Sequence, residues 1–406
     1  MKVVIIGSSA AGLSCLETLL RCSPGSEIAV ISEEKRQPYC RCILTEYLGR
    51  EIEEGFLTLR DTSHFPPNVT FILGERAGAV DPAAKTVALL SGEKVHYDKL
   101  LIATGANAVR PEYCTDENRV FTLRYIDDVY KIERFLERKA TVVGGGFIGV
   151  KTAYGLKKRG IDVEVVESLH LLSTWMDERL SMVVENELKA VGITINKGDE
   201  ITSISIRNDA VTAALKSGKE LESDVVVAGI GIVPRTELAQ RAGIVTKTGI
   251  LVNEFLETSV QDVYAAGDCC EAMDTSRNRK WVNAVWPVAV EQGYFAALNM
   301  TGMSASYPGS IAMNSLKTLD FHLITAGLLK KAEDITLYEK QIPQKRQFRM
   351  LAVRGDIPVG MMFYNAAEDA GLVIRLIRGR KPLTTVKPGE IVRGEASLYD
   401  MMKLLS

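Results

Sequence analysis

Lys2-Val3-Val4-Ile5-Ile6-Gly7-Ser8-Ser9-Ala10-Ala11-Gly12 opens the chain and decides its fold. A β-branched apolar run of strand length ends on a glycine turn, and Leu13, Leu16, Leu19 and Leu20 follow with helical spacing. Strand, tight turn and helix are predicted in succession. A second run, Ile28-Ala29-Val30-Ile31, stops at Ser32-Glu33. It delivers an acid roughly 20 residues past the turn, where a βαβ dinucleotide-binding unit carries one. The arrangement then returns: Thr141-Val142-Val143, Gly144-Gly145-Gly146-Phe147-Ile148-Gly149, a helix to about Arg159, and Val163-Glu164-Val165-Val166 ending in Glu167. This is an internal repeat of two such units, so two dinucleotides are expected.

A pyrophosphate is held against a helix N-terminus, where free N–H groups and the helix dipole meet its charge. Three glycines permit the tight turn, the close backbone approach and the helix–strand packing. The second unit supplies Gly144, Gly146 and Gly149, with Phe147 and Ile148 opening the helix; the first has Gly7, Ser9 and Gly12, with Ala10 and Ala11 at the helix start. Glu33 and Glu167 stand where a carboxylate can accept ribose 2′-hydroxyls, although a surface acid at a strand end would look the same. Ser168 and Leu169 follow Glu167 in place of the basic residues that meet a 2′-phosphate, so NADH is favoured over NADPH, with His170 the nearby residue that could soften this.

Each repeat closes on another apolar strand broken by glycine: Tyr97 to Ile102 before Ala103-Thr104-Gly105, and Asp224 to Ala228 before Gly229-Ile230-Gly231-Ile232-Val233-Pro234. A later strand, Thr258 to Ala266, delivers Gly267-Asp268, and the tail from about Gly309 reads as a small α+β domain. With 49 Lys and Arg against 51 Asp and Glu, net charge −2, nothing argues for nucleic acid or an anionic membrane as partner. The longest apolar run, Val225 to Val233, is too short to span a bilayer, and no signal-peptide pattern opens the chain, so a cytoplasmic protein is expected. The seven cysteines form no Cys-x-x-Cys pair and the four histidines no ligand motif; no metal site is expected.

These motifs, in this order, resemble the FAD-dependent pyridine nucleotide-disulfide oxidoreductase superfamily, and most closely its rubredoxin-reductase-like and nitrite-reductase-like NADH:acceptor members. Pro38-Tyr39-Cys40-Arg41 and Asn283 to Gly293 carry the closer likeness. The resemblance implies an α/β fold of two Rossmann-like domains, an FAD domain (1–110 and 237–308) interrupted by an NAD domain (111–236), with a small α+β interface domain at 309–406. It implies FAD and NAD(H) as cofactors and NADH as donor. The acceptor is an unidentified protein or small molecule, possession of a redox-protein partner being one form of this, and the chain is a homodimer or a subunit of a larger complex. Among the residues, Arg41 lies near the FAD, Asp268 bonds the ribityl chain, Trp286 flanks the nicotinamide, and the helix from Pro287 and Val288 aims N–H groups at the flavin.

Two departures matter. Relatives such as apoptosis-inducing factor and the oxygenase-type ferredoxin reductases carry Lys at the position of Glu46 and Glu at that of Lys151. A Glu46–Lys151 ion pair of exchanged polarity is therefore expected beside the flavin. Cys42 falls where NADH oxidase, NADH peroxidase and coenzyme A disulfide reductase place their redox cysteine, and it opens a helical pattern, Ile43 to Leu48, whose N-terminus would favour its thiolate. Cys42-dependent chemistry is thus one alternative to a simple acceptor reductase, and an electron-transfer subunit of a larger complex is another.

Overall fold

The computed structural model describes residues 1–318 and 320–405. Its first sheet is parallel throughout, in the order Val263–Ala265, Lys99–Ile102, Lys2–Ile6, Glu27–Ser32, Val69–Leu73. Val4 lies between Ala29 and Leu100 in register. A strand with neighbours on both sides and helices on its faces has no solvent side, which is why these strands read as unbroken apolar runs rather than alternating ones. The helix Ala10–Cys22 covers one face and buries Leu13, Leu16 and Leu19. Truncating the fully buried Leu16 to Ala would cost about 2–5 kcal/mol.

The second sheet repeats this plan: Thr194–Lys197, Asp162–Glu167, Lys139–Val143, Val225–Ala228, Val120–Thr122, again all parallel. In both sheets the glycine turn follows the central strand, and the chain leaves on one side and returns on the other. That reversal opens a crevice at the carboxyl ends of the strands, where ligands of open α/β sheets bind. The repeat is longer than the glycine turns suggest. A three-stranded antiparallel meander precedes the last strand of each unit, Ala77–Asp81 to Lys94–His96 in the first and Ile201–Arg207 to Glu220–Ser223 in the second.

Two chain crossings join the units, and they pair antiparallel: Ala106–Ala108 with Ile232–Pro234. The tail folds as a five-stranded antiparallel sheet, ordered 313–317, 322–327, 357–364, 347–354, 336–342, against which the helix Ala370–Arg378 packs Val373 and Ile377. It is the α+β element expected from sequence. Among the described residues, no helix is long and apolar enough to cross a membrane.

Candidate functional site

The two turns are built alike. Gly7 and Gly144 have φ of +116° and +96°, and a Cβ there would stand 2.2 Å from the Ala103 carbonyl oxygen and 2.5 Å from that of Gly229, respectively. Each turn is thus pressed against the end of its own returning strand. Gly12 and Gly149 pack each helix back onto its turn; a Cβ would fall 1.8 Å from Gly7 O and 1.9 Å from Gly144 O. Gly7 N–H donates to Ile31 O at 2.8 Å and Gly144 N–H to Val166 O at 2.9 Å, which locks the turn to the second strand in both units. Ser9 and Gly146 are the N-caps, and neither offers a side-chain cap, so the first N–H groups of both helices stay free.

One continuous cavity of about 1380 Å³ runs from the first turn to the second. It exceeds the roughly 300–1,000 Å³ of a single small-molecule site. Gly7, Ser9, Ala10, Ala11, Glu33, Arg41 and Cys42 line it from the first unit, with Ala103, Thr104, Gly105, Gly267 and Asp268 at its returning strands. Gly144, Gly146, Phe147, Ile148, Lys151, Glu167, Gly229 and Gly231 line it from the second, and Trp286 and Pro287 from the helix Trp286–Met300. Gly12, Gly149, Glu46 and Val288 stand behind this surface: the glycines at helix–turn contacts, Val288 in the core, Glu46 behind Lys151. Phe147 meets Trp175 edge-on at 5.8 Å on the second unit's wall.

Charges are paired along the first unit's wall. Arg41 is bound to Glu34 and lies over the Tyr125 ring at 4.6 Å. Asp268 accepts from Arg124 at 2.7 Å, and Arg124 Nε is buried without a partner. Glu33 is gripped by the guanidinium of Arg235 on both oxygens, with the Nη2–Oε2 contact at 2.9 Å; this hydrogen bond outweighs burial and holds the carboxyl below its usual range. Arg124, Glu34 and Arg235 were not marked by sequence reasoning. Glu167 is held by backbone instead, accepting from Gly145 N–H at 2.6 Å and Leu169 N–H at 2.9 Å.

Glu46 and Lys151 meet at 2.6 Å, and Lys151 Nζ also reaches Cys42 O at 3.5 Å. The exchanged-polarity pair is formed, and it bridges the helix Leu44–Leu48 to the helix Phe147–Lys158 across the two units. Cys42 lies in a short 3-10 turn, Arg41–Ile43, that leads into the helix Leu44–Leu48. The short 3-10 turn starts at Arg41, so its preceding residue is Cys40. A hydrogen bond with Cys42, countered by burial and then aided by the backbone N–H groups of Cys42 and Ile43, draws the Cys40 thiol down to about 6. The same bond pushes the Cys42 thiol up. Cys269 and Cys270 are fully buried, and burial raises both thiols.

The sequence profile of the pyridine nucleotide-disulphide oxidoreductases matches residues 1–293. The chain belongs to that family. It is 28% identical over 384 residues to the NADH-rubredoxin oxidoreductase of Clostridium acetobutylicum, spanning 91% of this chain and 95% of that protein. It is 27% identical over 410 residues to the assimilatory nitrate reductase electron transfer subunit of Bacillus subtilis, covering 99% of this chain but only 52% of that one, so the chain spans about half of that relative's length. In fold it superposes on the reductase of a covalent putidaredoxin reductase–putidaredoxin complex with a TM-score of 0.90 at 23% identity, over 99% of this chain and 98% of that one. Enzymes of this family bind FAD and NAD(H), and the two cradles fit those groups. Both turns are drawn tight against a returning strand by glycines with no room for a Cβ, both leave helix N–H groups free to meet a pyrophosphate, and both second strands lead to a carboxylate that lines the cavity.

Proposed function

We propose that the chain is an NADH:acceptor oxidoreductase that holds FAD in the first cradle and NADH in the second and passes electrons to a redox protein. The observation that carries this is the single cavity joining two like-built cradles, with the residues of both facing one space. FAD, when bound, takes a hydride from NADH and hands electrons on. The chain's own contribution is placement. In this reading Gly7 to Gly12 and Gly144 to Gly149 receive the two pyrophosphates, Glu33 and Glu167 the two adenosine riboses, and Asp268 the ribityl hydroxyls. Trp286 and Pro287 set a helix N-terminus against the flavin, while Phe147 and Trp175 wall the nicotinamide side and exclude water. Lys151, steadied by Glu46, puts one cation at the junction. The corresponding division is 1–110 with 237–308 for FAD, 111–236 for NAD and 309–406 for an interface domain.

The acceptor we favour is a rubredoxin-type protein, because the Clostridium relative named for that partner is matched along nearly its whole length. Anaerobic titration with NADH should bleach the flavin at about one equivalent, and added rubredoxin should restore its colour. No bleaching would refute the donor, and bleaching without reoxidation would refute the acceptor. Uptake of about two equivalents would instead favour the Cys42-dependent reading, since Cys42 is exposed in the cavity beside Lys151.

A further inference from the structure

The carboxylate assigned to the adenosine ribose of FAD does not stand free. Arg235 grips both of its oxygens, and Arg76 Nε lies 3.9 Å away. Arg235 is remote from its partner in sequence: it follows Ile232–Pro234, where the chain returns from the second unit, and Glu33 is 202 positions earlier. Its backbone is fixed on both sides. Arg235 N–H donates to Gly105 O at 2.9 Å, and Arg235 O accepts from Thr104 Oγ1 at 2.7 Å. The side chain lines the cavity at 16% exposure. A carboxylate has about four lone-pair sites, and a forked guanidinium takes one on each oxygen. One site per oxygen remains, which is what a ribose diol needs.

We propose that Arg235 is a positioning residue for FAD: it holds Glu33 in the one orientation that accepts the adenosine ribose, so that the returning chain completes the first cradle. The inference rests on the assignment of FAD to that cradle. Fixing the acceptor beforehand removes the freezing of a flexible carboxylate from the binding step, and so raises affinity without a new contact to the ligand. The effect belongs to the adenosine half alone. FMN, which lacks that half, should not sense it.

The test is titration of deflavinated protein with FAD and with FMN, followed by quenching of flavin fluorescence. Arg235→Ala should weaken FAD about tenfold, as the loss of a charged hydrogen-bond partner implies, and leave FMN within about twofold of wild type. Arg235→Lys, with one donor centre in place of a fork, should recover part of the loss. In a Glu33→Ala background, Arg235→Ala should have no further effect. Equal loss of FAD and FMN, additive losses in the double variant, or unchanged FAD affinity in both Arg235 variants would overturn the proposal. Failure of wild-type protein to bind FAD would overturn the cofactor assignment and the inference together.

Discussion

The two cradles share a backbone and differ in how their charges are secured. In the first, three acids facing the cavity are tied to arginines: Glu33 to Arg235, Glu34 to Arg41, Asp268 to Arg124. In the second, Glu167 is held by the backbone N–H groups of Gly145 and Leu169 and by the Ser168 hydroxyl, and the cation on that wall is Lys151, whose partner Glu46 belongs to the first unit. A carboxylate fixed by a guanidinium is oriented before ligand arrives, whereas one resting on a turn leaves with little disturbance when ligand departs. In the proposed reading, one fold, duplicated, gives a cradle for the resident cofactor and one for the ligand that exchanges each turnover.

Substitution at the third glycines should break this comparison most severely. A methyl group at Gly12 or Gly149 meets a carbonyl oxygen at under 2 Å in either unit, an overpacking worth about 2–3 kcal/mol, or roughly 30- to 150-fold in affinity. Gly12→Ala should yield protein depleted of FAD by absorbance, and Gly149→Ala protein with full FAD and a raised KM for NADH. If both lose FAD equally, the units do not have separate duties.

The bridge between the units comes next. Glu46 and Lys151 are 24% and 21% exposed, so reversing either charge alone should cost about 1–3 kcal/mol, less than the cost of breaking a fully buried pair. Stopped-flow rates of flavin bleaching should drop for Glu46→Lys and for Lys151→Glu and recover in part in the double reversal. Additive losses would show two independent charges. A smaller change sharpens the second cradle: Glu167→Ala with Leu169→Arg should raise kcat/KM for NADPH by about tenfold over NADH, and no shift would remove Glu167 from nucleotide choice.

The smallest effect concerns the thiols. With the Cys40 thiol lowered to about 6, its reactive thiolate is present above that pH and lost as pH falls through it. Peptide mapping after iodoacetamide treatment at pH 7 should find Cys40 labelled ahead of Cys42; the reverse order would contradict the assigned hydrogen bond.

What the sequence made legible is whatever depends on neighbours in the chain. The strand–glycine–helix units, their acids and the returning strands are each coded in a short window by apolar runs and the glycines a tight turn demands. Arg235 and Arg124 were not legible, because their partners lie 202 and 144 positions away and no local pattern marks either arginine. The helical pattern expected from Ile43 to Leu48 forms as Leu44–Leu48, and the 3-10 turn Arg41–Ile43 that precedes it and holds Cys42 carried no signal in the sequence. Glu46 and Lys151 were paired from resemblance, and their distance of 2.6 Å is a fact of the fold.

The most direct test of the two-cradle account is a stoichiometry. Protein saturated anaerobically with FAD and NAD+ is passed through a desalting column, and both nucleotides are counted in the protein peak by chromatography after denaturation. The account expects one FAD per chain and almost no NAD+. Retention of both nucleotides, or loss of both, would contradict it.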